Sequence, residues 1–461
     1  MSSIFKAYDI RGIYGEEMDE ATAEQIGRGF AQVLARLRGK SSPELRVGLG
    51  RDMRLSAPSM ADAVAAGLIA EGVEVLDAGM VPTELLYHLV GARELDGGAM
   101  VTASHNPKAY TGIKLVREGA LALSGEAGID EIRAVIEGGL GPASSGAASG
   151  AAGGGSRHPV EIGAEFRERA LSFIEPGAVR PLRVVVDGGN GMAGPTVGPI
   201  LRELGVELIE LYFEPDGNFP DHEPNPLLEE NRRLIMERVR AEGADLGIAW
   251  DGDADRCFFI DDAGEFCDGD FICTLLARAM LEREPGATVL YDPRSSRAVP
   301  DTIAAAGGSA KLSRVGHAYF KTRMREESAV FGGEVSGHYY FRDFWCADSG
   351  TIPALLLLEL ISREGRPLSE LIGELRGRYF ISGEINSEVE DPTGRMEQLV
   401  EMHPDATVTR LDGVSIDYPD WHFNVRPSNT EPLLRLNLES LISREDMERR
   451  RDQVLAVIRG G

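Results

Sequence analysis

The feature that most restricts the fold of this chain is a recurring alternation of short apolar runs with amphipathic segments. Leu45-Arg46-Val47-Gly48-Leu49 reads as a buried strand, a helix follows through Ala61–Ala70, and Val73–Leu76 reads as the next strand. Ahead of them Ile26, Phe30, Val33, Leu34 and Leu37 fall on one helical face, behind a capping residue at Asp19. Strands separated by helices predict a mostly parallel sheet with helices on its faces. The order then repeats. Leu182–Asp187 is followed by a loop, a helix and Gly205-Val206-Glu207, as the first strand is by Gly72-Val73-Glu74. A weaker copy runs from Ala287–Asp292 to Gly308-Ser309-Ala310-Lys311. Three related α/β units account for this pattern, and so does chance similarity among strands of one fold class.

With 461 residues the chain is long enough for three or four domains. Gly138 to Ser156 is almost wholly Gly, Ala and Ser, which predicts a flexible connector with a domain boundary beside it. From about Tyr379 the pattern changes. Ile381–Ile385, Thr407–Leu411, Val414–Tyr418, Trp421–Val425 and Leu433–Leu438 read as strands, and Glu445–Val457 as a helix, giving a small α+β domain. The expected domains are 1–150, 157–262, 263–375 and 376–461.

The formal net charge is −26. Such a surface repels nucleic-acid phosphates and anionic lipid, so neither is expected as a partner. An anionic substrate would require the field to be reversed locally. Cys257, Cys267, Cys273 and Cys346 form no CxxC pair, which argues against a zinc site or a disulfide framework. Met1 to Gly12 contains no apolar signal segment, and Ala354–Leu358 is too short to span a bilayer. A soluble cytoplasmic protein is expected, monomer or dimer.

Four loops carry candidate chemistry. Thr102-Ala103-Ser104-His105-Asn106-Pro107 follows an apolar strand and offers a nucleophilic hydroxyl beside an imidazole. A polar turn closed by Asn-Pro would look the same. Asp251-Gly252-Asp253-Ala254-Asp255-Arg256 sits between two apolar strands. Three alternating carboxylates repel one another unless a cation neutralises them, and hard oxygen donors suit Mg²⁺ or Ca²⁺. An EF-hand would need Gly where Arg256 stands and helices where these strands stand. A solvated acidic turn is the other reading. Arg426-Pro427-Ser428-Asn429-Thr430-Glu431-Pro432 gathers guanidinium, hydroxyl and amide donors suited to a phosphate monoester, or to a turn. Gly332-Gly333-Glu334-Val335-Ser336-Gly337-His338 alternates a carboxylate, a hydroxyl and an imidazole. That alternation would turn all three to one side, towards sugar hydroxyls. A Gly-rich turn between strands fits equally.

A fifth segment, Gly189-Asn190-Gly191-Met192-Ala193-Gly194, matches the dinucleotide fingerprint, with Glu210 near the ribose-binding distance. It keeps an NAD(P)-dependent dehydrogenase open as a remote alternative. A non-catalytic sugar-phosphate-binding protein is another.

Taken together, the four loops resemble the α-D-phosphohexomutase superfamily, in its order and one per domain, over essentially the full chain. Tyr8-Asp9-Ile10-Arg11-Gly12 is similar to its opening motif. Within it the likeness is to the phosphomannomutase branch, through Trp250–Phe259, Gly332–Asp343, Ser382–Ser387 and Trp421–Leu438. The resemblance implies three related α/β domains with mixed sheets plus a smaller C-terminal α+β domain, arranged around a central cleft. It implies that Ser104 is a phosphoserine, that Asp251, Asp253 and Asp255 hold Mg²⁺ with a phosphoserine oxygen, and that Arg256 lies beside that centre. Glu334 and Ser336 would grip sugar hydroxyls, with His338 nearby, and Arg426, Ser428, Asn429 and Thr430 would bind the non-reacting phosphate. Tyr8, Arg11, His105, Lys114, Arg294 and His317 are similar to further active-site positions. The implied reaction interconverts mannose 6-phosphate and mannose 1-phosphate, with a hexose 1,6-bisphosphate as intermediate and activator. Dual action on glucose phosphates is the near alternative. Val335 and Asn429 depart from the glucosamine branch, which usually has Gln and Gly there. The resemblance also turns Gly189–Gly194 into a plain strand-to-helix turn. Arg11, Lys114, Arg256, Arg294 and Arg426 would supply the local reversal of field.

Overall fold

The computed structural model describes residues 4–6, 8–141, 154–428 and 433–460, apart from the side chains of 126 and 127. It comprises two compact units. One holds Met1–Phe266 and His338–Gly365, the other Cys267–Gly337 and Arg366–Gly461.

In the first unit the opening helix, Glu20–Arg38, begins where the carboxylate of Asp19 accepts from the Thr22 backbone N–H at 2.9 Å. It stops at Gly39 in the left-handed conformation. Its apolar stripe, Ile26, Phe30, Val33 and Leu34, is fully buried in one core with Val64 and Leu68 of the next helix, Ala57–Ala70. Beneath them the first sheet runs in the order Ile10–Ile13, Tyr110–Arg117, Gly97–Val101, Arg46–Arg51, Glu74–Met80 and Ser156–Pro159. The last four of these are parallel and the first two join antiparallel, so the sheet is mixed.

Ser156–Pro159 falls in the sequence's connector and at the start of its second domain. The structure instead places it as the edge strand of the first sheet, paired with Glu74–Asp77. Ser156-Arg157-His158-Pro159 has no apolar residue because its side chains are largely exposed, and Pro159 is tolerated at an edge. Most of the Gly/Ala/Ser connector, residues 142–153, lies outside the described residues.

The second sheet sets Glu207–Leu211, Arg183–Asp187 and Leu246–Trp250 side by side in parallel, with Cys257–Ile260 antiparallel to the last. The third copy of the pattern lies in the second unit, where Ser309–Leu312, Thr288–Tyr291 and Phe331–Gly333 are parallel neighbours. In the first unit Tyr339–Phe341 pairs antiparallel with Ala347–Asp348. The helix Thr351–Glu364 then buries Leu355, Leu356, Leu357 and Leu358 completely. A helix apolar all round is a core helix, which explains the greasiest stretch of the sequence.

The last sheet is antiparallel throughout, in the order Phe380–Glu388, Leu433–Ser440, Trp421–Pro427, Val414–Asp417, Thr407–Thr409. Arg444–Arg459 packs on it. A helix that the sequence reading lacks, Pro392–Met402, starts where Asp391 accepts from the Gly394 N–H at 2.8 Å. Its Pro and Gly in the first turn hide an otherwise ordinary short helix. Among the described residues no helix is long and apolar enough to cross a membrane.

Candidate active site

The first unit brings two of the loops into contact. Gly97–Val101 and Leu246–Trp250 are central strands, and the Ser104 and Asp251 loops follow their C-terminal ends. Ser104 is buried and takes a left-handed φ of 49°, uncommon for a residue with a side chain. The Thr102 hydroxyl oxygen accepts from its N–H at 2.9 Å. Its Oγ donates to Asp251 Oδ2 at 2.7 Å. Gly252 makes this approach possible, since a Cβ there would stand 2.6 Å from the Ser104 carbonyl oxygen.

The Asp triplet is buried, and one ligand atom from each carboxylate lies within 4.8 Å of the others. Lys114, reaching in from the strand Tyr110–Arg117, donates to Asp253 Oδ2 at 2.6 Å and also to Asp255 Oδ2. Burial works against its charge, but Asp253, Asp255 and Asp251 outweigh burial and hold the ammonium above its usual range. Arg256 sends Nε and Nη2 to Asp251 Oδ2 at 2.9 and 2.7 Å. Burial opposes that cation too, and Asp251 and Asp255 more than restore it. Three carboxylates thus face two cations. Burial lifts Asp251 to about 7, with Arg256 pulling the other way. Asp253 Oδ1 is buried with no hydrogen-bond partner among the described residues. An orphan buried oxygen and an all-oxygen donor set fit a Mg²⁺ ion.

His105 is held neutral by burial and by Arg256 and Arg11. Arg256 Nη2 donates to its Nδ1, which fixes the ring proton on Nε2. Arg11 donates to Asn106 and pairs with Asp9, and Tyr8 lies in the bend before that strand. His338 Nε2 lies 3.8 Å from Asp255 Oδ1 and 4.0 Å from Asp348 Oδ2.

The second unit sets Arg294 and Arg435 beside Glu334 and Arg426 of the other two loops. Arg294 forks onto Asp292, with Nε–Oδ1 at 3.0 Å and Nη2–Oδ2 at 2.8 Å, and reaches Glu334 Oε2 at 3.5 Å. Glu334 also accepts from the Gly316 N–H at 3.0 Å, just before the helix His317–Glu326. Arg426 on Trp421–Pro427 is the cross-strand partner of Arg435. Both reach a single carboxylate, Glu384, at 3.6 and 3.2 Å, and Arg294 Nη1 lies 3.9 Å from it. Arg426 and Arg435 thus share Glu384, whereas Arg294 is already matched by Asp292 and Glu334. Burial, with Arg294 and Arg435, depresses Arg426. A second anion, such as a phosphate monoester, would relieve that repulsion. Ser428 lies beside Arg435 Nη2 at 3.5 Å, and Asn429 and Thr430 lie outside the described residues.

Two further loops have a defined local geometry. The Glu334–His338 alternation is broken by a turn in which the Gly337 N–H bonds back to the Glu334 carbonyl at 3.1 Å. Glu334 faces Arg294 and Gly316, His338 faces Asp255 and Asp348, and Ser336 sits half-buried in the turn itself. The dinucleotide-like glycines pack against backbone. A Cβ on Gly194 would stand 1.7 Å from the Phe213 carbonyl oxygen, and Glu210 is paired with Arg202.

Sequence reasoning missed Thr83, whose hydroxyl donates to Asp253 Oδ2 at 2.5 Å and whose N–H reaches the Asp253 carbonyl at 3.0 Å. It missed Asp292, Glu384 and Arg435 as well. None sits in the four loops: Asp292 ends a strand-like run, and Glu384 and Arg435 lie in longer stretches that carry the family likeness without marking these residues.

Family models for the phosphoglucomutase/phosphomannomutase domains match in order along the chain. Alpha/beta/alpha domains I, II and III match residues 2–140, 165–264 and 268–379, and the C-terminal domain matches 384–457. The chain is 43% identical over 462 residues to a phosphomannomutase of Salmonella montevideo, covering 98% of each chain. It is 42% identical to a protein named phosphohexose mutases from Xanthomonas campestris pv. campestris, covering 99% of each. Among solved structures, a phosphoglucomutase/phosphomannomutase family protein from Burkholderia thailandensis superposes with a TM-score of 0.88 at 34% identity, over 99% of this chain and 98% of that one.

Proposed function

The chain belongs to the phosphoglucomutase/phosphomannomutase family and is a phosphohexomutase, an isomerase-class phosphotransferase; from that premise we propose that it interconverts mannose 6-phosphate and mannose 1-phosphate through a phosphorylated Ser104. The observation that carries this reading is the 2.7 Å bond from Ser104 Oγ into a buried carboxylate triplet.

In this reading Ser104 passes its phosphoryl group to the free hydroxyl of the bound sugar phosphate. The hexose 1,6-bisphosphate so formed turns over, and its other phosphoryl group returns to Ser104. Phosphoryl transfer depends on alignment and on neutralised charge. Lys114 and Arg256 are buried cations, already desolvated and fixed by Asp253, Asp255 and Asp251, so they meet developing charge on the transferred group without reorganising. Asp251, Asp253 and Asp255 would hold Mg²⁺, which as a Lewis acid draws charge from the phosphoryl oxygens. Neutral His105 orients beside Ser104, with Arg11 anchoring the same loop through Asn106. For the sugar and its non-reacting phosphate, the groups are Glu334, Ser336 and His338, and Arg294, Arg426 and Ser428 with Asn429 and Thr430. Tyr8 and His317 complete the set.

The test is a side-by-side assay with mannose, glucose and glucosamine 1-phosphates, Mg²⁺ and trace hexose 1,6-bisphosphate. Turnover of mannose 1-phosphate and none of glucosamine 1-phosphate is expected. Equal turnover of glucose 1-phosphate would make the enzyme dual-specific. No turnover of mannose 1-phosphate would overturn the reading.

A further inference from the structure

We infer that Arg54 is the positioning residue that sets the backbone of the Ser104 loop, and thereby the direction in which Ser104 Oγ points. The inference rests on the assignment of Ser104 as the phosphoryl carrier. Arg54 lies outside every motif, in Asp52-Met53-Arg54 after the strand Arg46–Arg51. Its side chain is only 1% exposed. Nη2 donates to the carbonyl oxygens of Ser104 and Asn106 at 2.8 and 2.6 Å. Nη1 donates to those of Pro107 and Tyr110 at 3.0 and 3.2 Å. Its Nε lies 3.3 Å from Asp52 Oδ2, and the guanidinium carbon stands 5.1 Å from the centre of the Phe219 ring.

Four carbonyls between Ser104 and Tyr110 therefore converge on one buried cation. A loop whose carbonyls turn inward must turn other groups outward, here Ser104 Oγ to Asp251 and the His105 ring to Arg256. The left-handed φ of Ser104 costs of order 1–3 kcal/mol and persists only where the surroundings over-determine it. The Arg54 bond to the Ser104 carbonyl and the Thr102 bond to its N–H pin the two peptides that flank that residue. A lysine keeps the charge but not the planar fork, so it cannot hold both pairs of carbonyls in the same geometry.

The experiment measures single-turnover transfer from ³²P-labelled hexose 1,6-bisphosphate to Ser104, alongside kcat and KM, in wild type, Arg54→Lys and Phe219→Leu, with near-UV circular dichroism as the check of fold. Misplacement of the reacting hydroxyl predicts a fall of about 100-fold in the transfer rate and kcat of Arg54→Lys, with KM within about threefold of wild type. Phe219→Leu leaves the hydrogen bonds in place and loosens only the ring face, so it shifts the same two rates in the same direction by less. If Arg54→Lys does not fold, Phe219→Leu decides. A folded variant that is less stable but transfers at the wild-type rate would overturn the inference. Failure of the wild-type protein to accept label at Ser104 would instead overturn the phosphoserine assignment beneath it.

Discussion

Ser104 Oγ donates a 2.7 Å hydrogen bond to Asp251 Oδ2 across 147 positions of sequence. The two residues follow central strands of different sheets, so the first unit's fold, rather than any local motif, makes the pair. Removing the hydroxyl removes the proposed carrier and little else, because the Ser104 backbone keeps its bonds to Thr102 and Arg54. Ser104→Ala is expected to melt as wild type does, while mutase turnover falls to roughly a thousandth or less. Near wild-type turnover in a coupled assay would remove Ser104 from the reaction.

Thr83 holds Asp253 by two bonds, one to the carboxylate and one to the backbone carbonyl. Groups that orient a ligand typically contribute 10–100-fold to metal affinity. Thr83→Val should therefore raise the Mg²⁺ concentration for half-maximal activity by about tenfold, with kcat recovered at saturating Mg²⁺. An unchanged Mg²⁺ titration would mean that Asp253 needs no such support.

Gly252 has room for no side chain. A Cβ would sit 2.6 Å from the Ser104 carbonyl oxygen and 3.2 Å from Pro224 Cγ. Gly252→Ala must push the two loops apart, at a typical overpacking cost of about 1–3 kcal/mol. We expect a lower melting temperature together with a fall in kcat larger than the change in KM. Wild-type kcat in this variant would show that the spacing of the loops is not critical.

Much of this site is legible in the sequence for a specific reason. Asp251, Asp253 and Asp255 stand out because three carboxylates between two apolar strands demand a cation, and strand-bounded loops are where α/β folds put chemistry. Arg426 stands out through its neighbouring donors. The partners that set the state of these groups do not. Thr83 acts on Asp253 from 170 positions away, and Arg54 on Ser104 from 50. Glu384 lies on a strand whose alternation says only that it is half exposed. In the fold, the parallel strands announced themselves by apolar content, whereas Ser156–Pro159 is an exposed edge strand made of polar residues. Periodicity detects burial, so elements that bury little escape it.

His88 is buried with ring centroids 5.8 Å from Phe166, 6.4 Å from Phe344 and 5.5 Å from Trp345. Neither of its nitrogens finds a partner among the described residues. Burial lowers its pKa to about 4. Below pH 6.5 the unfolded chain takes up a proton here that the folded chain refuses until pH nears 4. Stability present above that window is therefore lost as pH falls through it, up to about 3 kcal/mol. His88→Phe should flatten the acid limb of the melting temperature between pH 6.5 and 4 and match or exceed wild type at pH 7. An acid limb of undiminished slope would place the responsible group elsewhere.

Among the described residues Glu384 is a carboxylate reached by both Arg426 and Arg435, and it lies 3.9 Å from Arg294 as well. It is shared by Arg426 and Arg435 where the non-reacting phosphate is proposed to bind, while Arg294 is held by Asp292 and Glu334. Arg426→Ala should raise KM, because a charge-assisted contact is lost. Glu384→Gln should act the other way. With no carboxylate competing for the guanidiniums, a dianionic phosphate meets a stronger field, and KM should fall by up to about tenfold, equivalent to 1.4 kcal/mol. The effect must shrink as salt is added, since it is electrostatic and partly exposed to solvent. Tighter binding of both sugar phosphates slows release, so kcat should fall with KM. A rise in KM for Glu384→Gln would mean that the carboxylate holds the arginines in place more than it competes for them, and the salt series separates the two, because loss of positioning does not fade with ionic strength.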